Sequence, residues 1–204
     1  MLIYNVYTKR MSKSFSIQIP AHNSIYSENH NNNSDRKLRI DYSVPNETNE
    51  ETGMLLLIAG YGGNIDSNVY KKMRNLFSDN YNLIVLQCSY FGCEFMQTPS
   101  FDELTDMHND INVTKKTSLL VNGKSITEIY FEINESLDNM NDMGPMQAID
   151  NITAILAVIE EAKKNGIVVN SKKIMIYGQS HGAYLAYLCN RFCPNLFSLI
   201  IENS

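Results

Sequence analysis

Lys172-Lys173-Ile174-Met175-Ile176-Tyr177-Gly178-Gln179-Ser180-His181-Gly182-Ala183 decides the fold. The apolar run before Gly178 reads as a buried strand, and the segment from Gly182 to Phe192, closed by Pro194, reads as a helix. Between them stands Gly-x-Ser-x-Gly, in the strand-then-helix context that a nucleophile elbow requires. A turn this tight forces Ser180 into strained backbone space and points its hydroxyl clear of the sheet. Side chains at 178 and 182 would collide with the neighbouring strand and helix, so glycine is expected at both. Ser180 then opens a helix, where free N–H groups favour developing negative charge. The backbone N–H of His181 is placed to donate to an oxyanion.

Upstream, Met54-Leu55-Leu56-Leu57-Ile58-Ala59 and Leu83-Ile84-Val85-Leu86-Gln87-Cys88 are continuous apolar runs. A strand apolar on both faces belongs to a parallel sheet with helices on each side. Between them, Ser67 to Ser78 reads as a helix with Val69, Met73, Leu76 and Phe77 at helical spacing. Gln147 to Lys164 reads as a second helix, with Ile149, Ile152, Leu156 and Ile159 as one stripe, Ala148, Ala154, Ala157 and Ala162 filling in, Pro145 at its first turn and Gly166 closing it. Phe197 to Ile201 is a further strand and an expected exposed edge. Strand and helix alternation predicts right-handed crossovers and an α/β fold with a mostly parallel, doubly wound sheet. Phe15 to Pro20 and Leu38 to Pro45 alternate apolar and polar residues and read as antiparallel edge strands.

Ala59-Gly60-Tyr61-Gly62-Gly63 follows the first buried run. Glycines let such a loop approach a substrate carbonyl closely. By position the Tyr61 N–H is the expected second oxyanion donor, with Gly62 as the alternate. A dinucleotide loop would need a third glycine at the right spacing and an acidic residue after the next strand, and neither is present. No Gly-Lys-Ser/Thr follows in this loop, which excludes a P-loop there.

The chain has 204 residues, 44% hydrophobic and 19% charged, with a net charge of -5. One domain over 1–204 is expected, with 1–50 as edge strands and loop. Residues 95–142 form a long insertion, which reads equally as a lid over the site or as a surface excursion. The acidic balance argues against a nucleic-acid partner. No apolar run is long enough for a membrane span, and no signal peptide is read at the N-terminus, so a cytoplasmic location is expected. Cys88/Cys93 and Cys189/Cys193 lack metal-knuckle spacing and read as small buried hydrophobes. No metal or cofactor is implied. Asp142 and Asp150 read as carboxylates favouring the start of the long helix, and Glu160 and Glu161 as a solvated face. Tyr90, Phe91 and Phe95 follow a strand's carboxyl end and are expected to line an acyl pocket, with simple core packing as the alternative.

The strand order, the glycine loop and the elbow resemble the α/β-hydrolase fold. Tyr90-Phe91-Gly92, Glu94-Phe95-Met96, Gly144-Pro145-Met146-Gln147-Ala148-Ile149-Asp150 and the elbow resemble an uncharacterised bacterial family, the domain of unknown function 2920. Ser180-His181-Gly182 is also similar to the elbow of prolyl-oligopeptidase-type peptidases. The resemblance implies a serine hydrolase acting on a small-molecule ester or a peptide, with Ser180 as nucleophile of a Ser-acid-His triad. Ala59 departs from the His that many lipases and esterases carry before the oxyanion glycine. Twenty-four residues follow Ser180, with no His beyond His181 of the elbow itself and one acid, Glu202. The sequence is therefore expected to be the N-terminal part of a longer hydrolase, its acid and His lacking here. The alternative is a catalytically silent domain used for binding or assembly. His22 and His30 read as solvated loop residues. His108, flanked by Asp106 and Asp110, reads as an exposed loop residue unless its segment folds over the elbow. The ring of His181 is expected to point away from Ser180.

Overall fold

The apolar runs become the middle of a six-stranded sheet. A computed structural model of the protein describes residues 11–27, 36–93, 111–121, 124–133, 135–137 and 139–204. The elements are β1 (Lys13–Pro20), β2 (Lys37–Val44), β3 (Gly53–Ile58), α1 (Asn68–Tyr81), β4 (Leu83–Cys88), β5 (Ile111–Val121), β6 (Lys124–Ile133), α2 (Pro145–Lys164), β7 (Ile174–Gln179), α3 (His181–Phe192) and β8 (Leu199–Asn203). The sheet order is β1-β2-β4-β3-β7-β8. β1 and β2 pair antiparallel, β2 meets β4 antiparallel, and β4, β3, β7 and β8 run parallel. This is the expected doubly wound sheet with an antiparallel N-terminal margin.

Every residue of β3 and β4 is buried because both faces are covered. Met54, Leu56 and Ile58 face the larger core, built with Ala148, Ala154, Ile155 and Val158 of α2 and Leu185, Ala186 and Cys189 of α3. Leu55 and Leu57 face the opposite core with Tyr70 of α1. The two-residue period of a strand thus divides one apolar run between two helical layers.

Both long helices bury only part of the apolar set that their spacing predicts: Met73 and Phe77 of α1 pack against the core, as do Ala148, Ala154 and Ala162 of α2, while other members of each stripe face outward. In α1 the buried residues are Tyr70, Arg74 and Ser78, while Val69 and Leu76 are 63% and 55% exposed. Arg74 is accommodated because its guanidinium donates to Ile65 O (3.1 Å) and Gln87 Oε1 (2.8 Å) and lies 3.5 Å from Asp41. In α2 the buried face carries Gln147, Ala148, Asn151, Ala154, Ile155, Val158 and Ala162. Leu156 is half exposed, and Ile152 and Ile159 pack only at the margin. Alanines let the helix approach the sheet closely, and Asn151 satisfies its amide on Gln147 O at 2.9 Å.

Asp142 does what its position predicts, accepting the N–H groups of Gly144 (3.1 Å) and Met146 (2.7 Å) at the start of α2. Asp150 does not act on the helix dipole. Its fully buried carboxylate pairs with Arg36 at 2.6 Å and 2.9 Å and accepts the Phe91 N–H at 2.8 Å. The Arg36 guanidinium also lies 5.2 Å from the centre of the Phe91 ring.

Within the insertion, β5 and β6 form their own antiparallel two-stranded sheet, with Val121 opposite Lys124. Asn122 and Gly123, between the two strands, lie outside the described residues. Among the described residues no helix is long and apolar enough to cross a membrane.

β8, two residues later than its apolar run predicts, is an edge strand whose Leu199 and Ile201 are 50% and 38% exposed. Such an edge templates pairing between chains. Ile201→Lys is expected to lower concentration-dependent light scattering while changing stability by no more than about 0.5 kcal/mol. Urea unfolding beside the scattering measurement checks both parts.

Candidate active site

β3 sends the chain to β4 on one side, and β7 joins it on the other. The strand order therefore reverses between β3 and β7, and the crevice beyond their carboxyl ends is where open α/β sheets place ligands. Two loops meet there. A Cβ on Gly60 would lie 2.9 Å from Gln179 O and 3.1 Å from the Ser180 Cβ. Gly60 is thus the contact between the glycine loop and the turn after β7, and a side chain there would push them apart.

Ser180 has φ 51° and ψ -118°, a left-handed conformation that costs a non-glycine residue about 1–3 kcal/mol. It is exposed at the mouth of the crevice. Its N–H donates to Asn203 O (3.0 Å) and its carbonyl accepts the Ala183 N–H (2.8 Å), so β8 and α3 hold the turn from both sides. The flanking glycines are required by contact. A Cβ on Gly178 would meet Gly182 O at 2.3 Å, and one on Gly182 would meet Ile58 O at 2.2 Å. β7, α3 and the end of β3 are packed backbone to backbone at this corner.

The glycine loop is fastened on its far side. Gly63 N–H donates to Gly60 O (3.0 Å), and Gly62 has φ 81°. Arg39 forks across Asp41 and Asp66, and Lys71 also reaches Asp66 at 3.2 Å. The hydrogen bond from Arg39 holds the Asp66 carboxyl below its ordinary pKa. The Tyr70 hydroxyl donates to Gln179 Oε1 at 2.9 Å. Burial raises that phenol's pKa, keeping it protonated. Tyr61, between the glycines, is 71% exposed.

The His181 ring is turned onto α2, where its Nε2 lies 2.9 Å from Gln147 Oε1. It also packs at 5.7 Å against Tyr184. Burial pushes the imidazole pKa down, against a smaller upward pull from Asp142. Gln147 is fully buried and did not emerge from the sequence as a site residue. A glutamine in the first turn of a helix carries no pattern of its own, and only its partner across the fold distinguishes it.

The other expected site residues lie elsewhere. Tyr90 and Phe91 are 6% and 2% exposed and belong to the packed interior, not to an open pocket. The Asp150–Arg36 pair draws the Phe91 backbone and ring inward. Phe95, His30 and His108 lie outside the described residues. His22 is exposed as expected, but its Nε2 is bonded to Thr153 Oγ1 at 3.1 Å. Glu202 pairs in register with Gly178 at the carboxyl edge of the sheet, and its carboxylate accepts the Tyr187 hydroxyl at 3.4 Å and the Ser204 hydroxyl. Cys88 and Cys189 are buried free thiols whose pKa values burial raises.

The model of the family described as "Protein of unknown function (DUF2920)" matches residues 96–204. No curated protein matches the sequence. Solved structures match over nearly the whole chain. The acylaminoacyl peptidase of Pyrococcus horikoshii aligns over 96% of this chain and 23% of its own, at 11% identity and a TM-score of 0.56. A highly thermostable carboxyl esterase from Bacillus coagulans aligns over 93% and 43%, at 13% identity and a TM-score of 0.53. The thermostable carboxylesterase EstE1, cloned from a metagenomic library, aligns over 95% and 47%, at 14% identity and a TM-score of 0.51. At these identities the likeness establishes the α/β-hydrolase fold. The chain spans less than half the length of each of these proteins.

Proposed function

The chain belongs to the DUF2920 family and has the α/β-hydrolase fold, and on that premise we propose that it carries a serine acyl-transfer site for a small ester or peptide. The observation that supports this reading best is the exposed, left-handed Ser180 seated against Gly60 at the point where the strand order reverses. The Ser180 Oγ attacks the substrate carbonyl, and its proton passes to a base. The carbonyl oxygen becomes an oxyanion, held by the N–H groups of His181 and Tyr61. The tetrahedral adduct collapses, the alcohol or amine leaves with a proton, and water then hydrolyses the acyl-serine. That esterases and an acylaminoacyl peptidase share the fold is consistent with the reading and does not choose the substrate.

The base is the open position. Among the described residues the histidines are His22 and His181, and their rings are bonded to Thr153 and Gln147. The same observation favours a second reading, in which the domain is catalytically silent and binds without turning over. An activated ester separates the two, because its leaving group needs no acid. With p-nitrophenyl acetate, the 204-residue chain is expected to give slow turnover that depends on the Ser180 hydroxyl, because a serine without its base is a weak nucleophile. The rate should rise continuously with pH through neutrality, since among the described residues no imidazole is bonded to Ser180 to act as its base. Ser180→Ala should fall to background. Equal rates in the two proteins would exclude the acyl-transfer reading.

A further inference from the structure

Gln147 joins the elbow to the start of α2. Its side chain is fully buried. Its Nε2 donates to Asn141 Oδ1 at 2.9 Å, and that oxygen also accepts the Met143 N–H at 3.3 Å. An oxygen already receiving a backbone N–H presents an acceptor to Gln147, so the amide turns its NH₂ group there and its oxygen toward His181. The imidazole nitrogen 2.9 Å from that oxygen must then carry the proton. His181 is thereby fixed as an Nε2–H donor, and the Tyr184 ring, one helical turn away, packs against it at a tilt of 41°.

We propose that Gln147 is a positioning residue for the elbow: it anchors the His181 side chain to α2 and so aims the 181 peptide N–H at the carbonyl attacked by Ser180. This rests on the acyl-transfer reading. A residue at φ 51° persists only where its surroundings over-determine it. On one side the Gly178–Gly182–Ile58 contacts and the bond to Asn203 O supply that constraint. On the other side the bond to Gln147 ties residue 181, the first of α3, to a second helix. Misplacing an oxyanion donor by about 1 Å is enough to lose roughly a hundredfold in rate.

Gln147→Met keeps the volume and removes the acceptor. Gln147→Glu keeps the acceptor and adds a charge, so it covers the case in which the methionine variant fails to fold. With p-nitrophenyl acetate, Gln147→Met is expected to lower kcat roughly tenfold to a hundredfold and leave KM within about twofold. In Gln147→Glu, a carboxylate joins Asp142 and Tyr184 around the imidazole. The His181 titration followed by NMR should then move up by more than about one pH unit. Wild-type kcat in Gln147→Met, or an unmoved His181 midpoint in Gln147→Glu, overturns the inference. A wild-type protein without Ser180-dependent turnover overturns the acyl-transfer reading and the positioning role with it. The NMR measurement still reads the His181–Gln147 bond, so the two failures are distinguishable.

Discussion

Gly182→Ala is expected to cost at least about 3 kcal/mol of stability, read as a fall in the urea midpoint at unchanged slope. The added methyl would sit 2.2 Å from Ile58 O, 2.7 Å from Ile58 C and 2.8 Å from Ala59 O. These are backbone atoms at the end of β3, in the middle of the sheet, where no rotamer change relieves the contact. Either α3 lifts off the sheet or β3 bends, and both disturb buried layers that include Leu57 and Ala186. Gly166→Ala is the matched control. Gly166 has φ +72°, but nothing lies within 4 Å of its missing Cβ. That change carries only the left-handed backbone penalty, about 1–2 kcal/mol. Equal losses in the two variants would contradict a close-packed elbow.

Asp150→Ala is expected to cost about 3–5 kcal/mol, the range for removing one partner of a buried ion pair. The Asp150 side chain is 0% exposed and that of Arg36 is 19% exposed. The substitution leaves the guanidinium with its bonds to His22 O but without its counter-ion, and it orphans the buried Phe91 N–H. The cost belongs to the stranded charge rather than to the pair's net contribution. Arg36→Met combined with Asp150→Leu should therefore recover much of the loss. Denaturant unfolding of the single and double variants measures this directly. A double variant as unstable as the sum of the two single changes would show that packing, not charge, dominates at that position.

The elbow and the sheet were legible because their physics is local. β3 and β4 announce themselves as unbroken apolar runs, and Gly178, Ser180 and Gly182 occupy positions where the backbone admits little else. The helix faces were legible only in part, through Met73 and Phe77 of α1 and the alanines of α2. α1 and α2 carry apolar residues on more than one side, so spacing alone selects Val69, Leu76 and Leu156, which the fold leaves exposed. The faces actually buried include Arg74, Asp150, Asn151 and Gln147, whose polar atoms are satisfied by Gln87, Arg36 and His181 and by backbone carbonyls. Those partners are distant in sequence, so their compensation is invisible until the chain is folded. Tyr90 and Phe91 illustrate the same limit. Their place after β4 suggests a crevice, but the buried carboxylate of Asp150 draws Phe91 into the core.

Chemical modification of Ser180 tests the acyl-transfer account most directly. The protein would be incubated with excess fluorophosphonate at mildly alkaline pH over many hours, then digested and mapped by mass spectrometry. The account predicts one phosphonyl adduct, on the hydroxyl of Ser180, lost in Ser180→Ala and slowed in Gln147→Met. A chain that stays unmodified, or one that is modified equally at other serines, contradicts it.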